Sequence, residues 1–166
     1  MLLLQASFEQ RRGFADTTVE ESAYVLQARI ASCLRSMSCS GGLTPDTSSE
    51  VYAPNGDPLG YQKVTVFHAN TNGTYTAEQI SFVSTNEVIY IPDMSTPTQQ
   101  IVWMTNSPTI GLHQLFFNTT FNPDGSMNSS LVNVCFQMDD NGYSQQNPTN
   151  NPANIYRRFS VQMRND

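Results

Sequence analysis

A mostly apolar stripe runs through the first 37 residues and constrains most strongly what the chain can fold into. Its members recur at spacings of three, four or seven residues, which is the repeat of one face of an α-helix. They are Leu4, Phe8, Ala15, Val19, Ser22, Leu26, Ile30, Cys33 and Met37. At about 1.5 Å per residue the helix would be roughly 50 Å long. We therefore expect either a core helix with a frayed start or a helix that is half packed on its own domain and half protruding.

The pattern changes after residue 37. Ser and Gly residues within 38–42 are typical of a helix end. Pro45, Pro54 and Pro58 predict a loop over the following stretch. From residue 62 apolar and polar residues alternate as they do in β-strands, and Asn72-Gly73 is the favoured dipeptide of a tight hairpin.

These patterns predict an α+β fold in a single domain, 1–166. A long amphipathic helix at 1–37 is followed by a loop at 38–61. An antiparallel sheet of about six to seven strands occupies 62–166, and the helix packs on it. Within the sheet region, the polar residues 139–154 predict a mobile loop.

The charge balance excludes some classes of partner. The formal net charge is −6, and only 13% of the residues are charged. An acidic chain without a basic patch argues against binding to nucleic acid or to anionic lipid surfaces. The remaining surface must be rich in Asn, Gln, Ser and Thr, which is common in exported proteins.

Three cysteines leave the disulfide state open. Cys33 and Cys39 flank the expected helix end, so a local bridge between them is conceivable, whereas Cys135 lies in an apolar run and is typical of a buried thiol. No pair has the spacing of a zinc or redox motif. A bridge would fit an oxidising compartment.

The sequence offers little chemistry for catalysis or metal binding. His68 and His113 are the two histidines, and no nucleophile elbow, zinc helix or phosphate-binding loop accompanies them. We therefore expect no enzyme activity and no cofactor. Asp139, Asp140 and Asn141 precede a Gly and offer hard oxygen ligands, so calcium is the one metal candidate, although the spacing is not that of an EF-hand.

The tip of the predicted helix is the main candidate for a partner contact. Leu2, Leu3, Leu4 and Phe8 would form a contiguous apolar patch there, which usually marks a protein or membrane surface. The alternative is a disordered terminus. No apolar run is long enough to span a bilayer, and no cleavable signal peptide is recognised.

Several segments resemble the type IV filament pilin family, most closely the J-type minor pseudopilins of type II secretion and related minor pilins. They are Phe14–Ser36, Gln79–Phe82, Val88–Tyr90, Ile101–Trp103, Ile110–Phe117 and Phe159–Asn165. The resemblance implies that Val19, Tyr24 to Ile30 and Leu34 face the sheet. It also implies that an N-terminal membrane segment with its prepilin peptidase site is missing, and that Leu2 to Leu4 are its remainder.

The function that the resemblance implies is structural. The chain would be a non-enzymatic filament subunit acting in tip assembly or priming, with other minor pilins or pseudopilins as partners. It would be anchored in the bacterial inner membrane, facing the periplasm, or carried on a cell-surface filament. The alternative is an exported adhesin or carbohydrate-binding β-domain that uses loops 43–60 and 139–154, where Tyr52 and Tyr143 would supply an aromatic pair.

Overall fold

One long α-helix and ten β-strands make up the regular structure in the described part of the chain. The structure, a computed structural model, describes residues 2–36, 43–121, 127–141 and 154–162, without the side chains of 2–12, 15, 120, 121 and 127–130. The elements are α1 (Leu2–Ser36), β1 (Leu43–Pro45), β2 (Glu50–Tyr52), β3 (Pro58–Tyr61), β4 (Lys63–Ala69), β5 (Tyr75–Val83), β6 (Glu87–Ile91), β7 (Ile101–Met104), β8 (Gly111–Phe121), β9 (Met127–Asp139) and β10 (Ile155–Gln162). A single 3₁₀ turn, Thr47–Ser49, separates β1 from β2.

The strands form two sheets rather than one. The first sheet has the order β1-β4-β5-β6-β7 and the second the order β10-β9-β8-β3-β2, and neighbouring strands are antiparallel. In the described part of the chain the ten strands contain many more residues than the helix. The predicted α+β fold, with a long helix packed on one antiparallel sheet of six to seven strands, is therefore wrong: the protein is mostly β and has two five-stranded sheets.

The missing strands lie in the stretch that the sequence predicts as a loop. Residues 43–61 contain β1, β2 and β3. Proline is tolerated on an edge strand and at the first position of a strand, and these are the places of Pro45 in β1 and Pro58 in β3. Short strands with Pro and Gly carry no alternation long enough to recognise, so the loop prediction missed them.

The hairpin between β4 and β5 follows the sequence prediction. Seven residue pairs connect the two strands, from Lys63 with Ser81 to Ala69 with Tyr75. Gly73 in the connecting turn has φ +78°, a backbone conformation that glycine adopts without steric cost. The Asn72-Gly73 turn is confirmed.

The second half of the helix and both sheets share one hydrophobic core. The fully or nearly fully buried helix residues are Val19, Ala23, Leu26, Ile30, Ala31, Cys33 and Leu34. They lie on one helix face. This face includes Val19, Leu26, Ile30 and Cys33 of the predicted stripe, whereas Ser22 is only half-buried and Met37 lies outside the described residues. From the second sheet, β9 contributes alternate residues from Val132 to Met138, as expected for a strand with one buried face.

Polar contacts tie α1 to both sheets in order along its length. They are Glu20 with Arg157 of β10, Arg29 with Trp103 of β7, Cys33 with Glu78 of β5, and Ser36 with His68 of β4. The helix therefore passes from the edge of the second sheet across the first sheet. This path creates a groove between α1 and the edge strand β7.

Candidate functional site: the outward helix face and the groove beside it

The outward face of α1 carries large apolar side chains. Phe14 is 66% exposed, Tyr24 71% and Val25 44%. At about 100° per residue, Phe14 and Val25 point in nearly the same direction, with Tyr24 beside Val25. A helix with one buried face normally presents polar residues on the other. We call these three residues the outward face; they place large apolar side chains, interspersed with Thr17 and Glu21, on the exposed side of α1.

Two expectations about the helix meet different outcomes here. The resemblance implies that Tyr24 to Ile30 face the sheet; Leu26 and Ile30 do, but Tyr24 and Val25 are exposed, so that part is wrong. The predicted contact residues Leu2, Leu3, Leu4 and Phe8 lie within α1, and their side chains are outside the described part. Their role stays a prediction.

The groove beside the outward face separates α1 from β7 and has a volume of about 460 Å³. We call it the α1–β7 groove. It is lined by Arg29, Ser32 and Cys33 from the helix and by Tyr90, Ile101, Val102 and Trp103 from the sheet. Val25, Arg29 and Ser32 follow one another on the same side of α1. The outward face therefore leads directly into the groove.

A stacked aromatic pair forms the sheet side of the groove. The rings of Tyr90 and Trp103 lie with centroids 4.6 Å apart and an interplanar angle of 23°. The pairing of β6 with β7 shifts between Val88 and Ile89, so Trp103 has no paired residue in β6. Its carbonyl instead accepts a hydrogen bond of 2.6 Å from Arg29 Nη1. Such a bulge turns one backbone group away from the ladder and toward the helix.

The side chain of Glu78 lies next to the stacked aromatic pair and accepts hydrogen bonds from two neutral groups. Glu78 Oε2 accepts hydrogen bonds from the Tyr90 hydroxyl and from Cys33 Sγ, the latter at 3.7 Å. Burial, followed by the nearby Glu78 carboxylate, raises the pKa of the Cys33 thiol well above its ordinary value. Burial and the hydrogen bond to Glu78 likewise raise the pKa of Tyr90. Both protons stay on at neutral pH, and a protonated thiol is a poor nucleophile.

Sequence reasoning missed this groove. The sequence places Trp103 in a segment that resembles pilins and Cys33 at the expected helix end, with no indication that the two residues share a site. Arg29, Glu78, Tyr90 and Trp103 come from α1 and three strands. They meet only because β5, β6 and β7 are consecutive in the first sheet. No local spacing encodes that order.

The calcium candidate residues have defined protein surroundings. Asp139 and Asp140 are 4% and 8% exposed, and His113 Nε2 lies 2.8 Å from Asp139 Oδ1. The Asn141 amide donates to the carbonyls of Ser107 at 2.8 Å and Ile110 at 3.1 Å. This stretch therefore ends β9 and anchors the turn before β8, whereas the sequence predicts it as the start of the mobile loop.

The metal and disulfide predictions stay open. Among the residues that the structure describes, no group of three or more His, Cys, Asp or Glu side chains is arranged to hold a metal ion. Calcium at Asp139, Asp140 and Asn141 thus remains a prediction. Cys33 is a free thiol in the structure. Cys39 lies outside the described residues, so a bridge between the two also remains a prediction.

The residues of the alternative functions lie apart from the groove. Tyr52 is 56% exposed and its hydroxyl donates to Glu50 at 2.5 Å, whereas Tyr143 lies outside the described residues. His68 Nδ1 is 3.0 Å from the Ser36 carbonyl. Both histidines, His68 and His113, therefore have structural partners.

Comparison with known proteins gave no match to a protein-family model, a curated protein or a solved structure. No family assignment follows. No helix within the described residues is both long and apolar enough to cross a bilayer.

Proposed function

We propose that this protein is a non-enzymatic structural subunit of a type IV-like filament, a minor pilin or J-type pseudopilin that acts in tip assembly or priming. One observation carries the proposal: α1 buries one face in its own core and displays Phe14, Tyr24 and Val25 on the other. A helix that carries large apolar side chains on its exposed side as well as on its buried side is suited to contact with both its own domain and a neighbour. The neighbour would be the helix of another filament subunit.

The length of the helix supports the same role. α1 has 35 residues, which corresponds to about 50 Å, and the described side chains become buried only from Val19 onward. The preceding turns would serve assembly rather than the core. Under this proposal Leu2, Leu3, Leu4 and Phe8 continue the contact surface toward an N-terminal segment in the inner membrane.

The chemistry of the described residues supports a role without turnover. The Cys33 thiol is buried and holds its proton, and the histidines are engaged by Ser36 and Asp139. None of these groups is combined into the nucleophile, base and orienting group that covalent catalysis requires.

Photo-cross-linking from the outward face tests the proposal. A benzophenone amino acid replaces Tyr24 in the full chain, expressed in the cell that makes the protein. Helix packing brings neighbouring side chains within van der Waals contact. We therefore expect cross-links to the N-terminal helix of another pilin-like subunit, located by mass spectrometry.

Tyr75 provides the matched control. It is also an exposed tyrosine, 48% accessible, but it lies at the start of β5 rather than on the helix. The same substitution there should give no helix cross-link. Cross-links from Tyr24 that reach no filament subunit, or equal labelling from Tyr24 and Tyr75, would contradict the proposal.

The alternative function, an exported carbohydrate-binding or adhesive β-domain, is favoured by the exposed ring of Tyr52. Exposed aromatic rings offer a flat apolar surface to a ligand with a polar rim. Binding of the full chain to a glycan array, lost in Tyr52→Ala but kept in Tyr75→Ala, would support it over the filament proposal.

A further inference from the structure

Strand β7 differs from the other three sheet edges in what it exposes. Edge strands are commonly protected by Pro, by charged residues or by being very short. β1 contains Pro45, β2 begins with the charged residue Glu50, and β10 carries Arg157 and Arg158. β7 instead presents Ile101 and Val102, which are 49% and 51% exposed. Two β-branched apolar side chains at an open edge are suited to pairing with a further strand.

The groove gives this edge a second wall and one positive charge. Within the described residues β7 pairs only with β6, and Arg29 of α1 donates a hydrogen bond of 2.6 Å to the Trp103 carbonyl beside the groove. A guanidinium has five N–H donors, and Arg29 makes no other hydrogen bond or ion pair within the described residues. Arg29 therefore offers donors to a carboxylate in the groove.

We propose that an extended peptide segment of a partner protein adds as a strand to β7 in the α1–β7 groove, with an acidic side chain or terminal carboxylate on Arg29. Strand addition takes affinity from main-chain hydrogen bonds and specificity from pockets for alternate side chains. Here the specificity comes from an aromatic wall, Tyr90 and Trp103, beside a guanidinium. This chemistry selects an apolar side chain close to a carboxylate. The proposal does not depend on filament membership.

A second copy of this chain fits the groove less well. Symmetric pairing of β7 with itself would bring the Arg29 residues of both copies to the same junction, where like charges repel. The net charge of −6 on each copy adds to this repulsion. An acidic peptide from another protein avoids the repulsion between two Arg29 side chains and can pair with the guanidinium instead.

A phage-displayed library of random decapeptides, selected on the immobilised full chain, tests the proposal. We expect enriched peptides that combine β-branched or aromatic residues with an acidic residue or a free C-terminal carboxylate. Their binding can be followed through Trp103, the single tryptophan of the chain. Hydrogen exchange should slow in β7 when the peptide binds, because a new ladder covers its amides.

Variants of protein and peptide separate the two parts of the proposal. Arg29→Gln should weaken binding of the acidic peptide by about tenfold. It should leave nearly unchanged the binding of a control peptide that has Gln in place of Glu or an amidated C-terminus. Arg35→Gln, also an exposed arginine on α1 but outside the groove, is the matched control. Ile101→Glu should weaken binding through charge repulsion at the edge, and N-methylation of alternate peptide amides should abolish it.

Several results would overturn the proposal. These are a selection without enrichment, peptides indifferent to both Arg29→Gln and Ile101→Glu, and binding without protection of β7. Self-association of the free chain at rising concentration, measured by light scattering and lost in Ile101→Glu, would assign the groove to a second copy instead. Each variant is first compared with the parent in thermal unfolding, so a loss of fold is recognised before binding is measured.

Discussion

Adjacent positions on α1 provide a direct test of which helix face is buried. Leu26 has no exposed surface, whereas Val25 is 44% exposed. Replacing each by Ala is a matched perturbation, because Ala has the highest helix propensity and disturbs the helix itself least. Any difference between the two variants therefore reports packing rather than helix formation.

The expected magnitudes differ severalfold. Leu26→Ala removes a fully buried side chain from the core shared by α1 and both sheets, so it should lower the free energy of unfolding by about 2–5 kcal/mol. Val25→Ala removes half-exposed surface and should change it by less than about 0.5 kcal/mol. For a chain of this size the first corresponds to a fall in Tm of roughly 5–15 °C and the second to less than about 2 °C.

Urea unfolding followed by far-UV circular dichroism measures both variants on the full chain. The slope of unfolding free energy against urea should stay constant, so that a shift in midpoint reports stability. If Val25→Ala cost as much as Leu26→Ala, the outward face would be buried and the basis of the proposed assembly role would be lost. A cost below about 1 kcal/mol for Leu26→Ala would refute the shared core.

Four further predictions follow from the surroundings of individual residues. Gly60→Ala should destabilise by about 1–3 kcal/mol in thermal unfolding, because Gly60 has φ +139° and an added Cβ would lie 2.6 Å from the Phe117 carbonyl oxygen. Gly13→Ala, with nothing within 4 Å of the new Cβ, should instead stabilise the helix by up to about 1 kcal/mol. Hydrogen bonds from Lys63 and then Ser48 lower the pKa of Asp46 to about 2. The stabilisation of the folded state by the ionised Asp46 is therefore present above about pH 4 and is lost as the pH falls to 2. The difference in Tm between the parent and Lys63→Met should shrink between these two pH values. Iodoacetamide at pH 8 should alkylate Cys33 in the native protein at least about tenfold more slowly than Cys135, because Cys33 is buried and holds its proton. The difference in rate should disappear in urea. Mass spectrometry of the alkylated peptides measures both rates.

Periodic patterns of apolar residues predicted helices and strands well where one face of the element is buried. Val19, Leu26, Ile30 and Cys33 of the stripe lie on the helix face in the core, and the alternation that begins at residue 62 corresponds to β-strands. These signals exist because burial imposes the repeat of 3.6 or 2 residues on the choice of side chain. The Asn72-Gly73 turn was predictable for a similarly local reason.

Strand order was beyond the same reasoning. Nothing in the alternation of β8 says that it leaves the first sheet to pair with β3 and β9, so one sheet was predicted where there are two. The exposed Tyr24 was assigned to the buried face by the resemblance to pilins, although its spacing from Leu26 places it on another side of the helix. The α1–β7 groove was not predicted for the same reason as the two sheets, because only the strand order brings Glu78, Tyr90 and Trp103 together.

The two proposed surfaces are continuous, and this bears on how they could work together. Val25 on the outward face is one turn from Arg29 in the groove, so their side chains are neighbours on α1. A partner helix lying along Phe14 and Val25 would bring its own domain to the mouth of the α1–β7 groove. An extended segment of that partner could then reach β7 at high effective concentration, and even weak strand addition would add to the stability of the assembly. The outward face would determine where a partner docks, and Arg29 would select which partner segment follows.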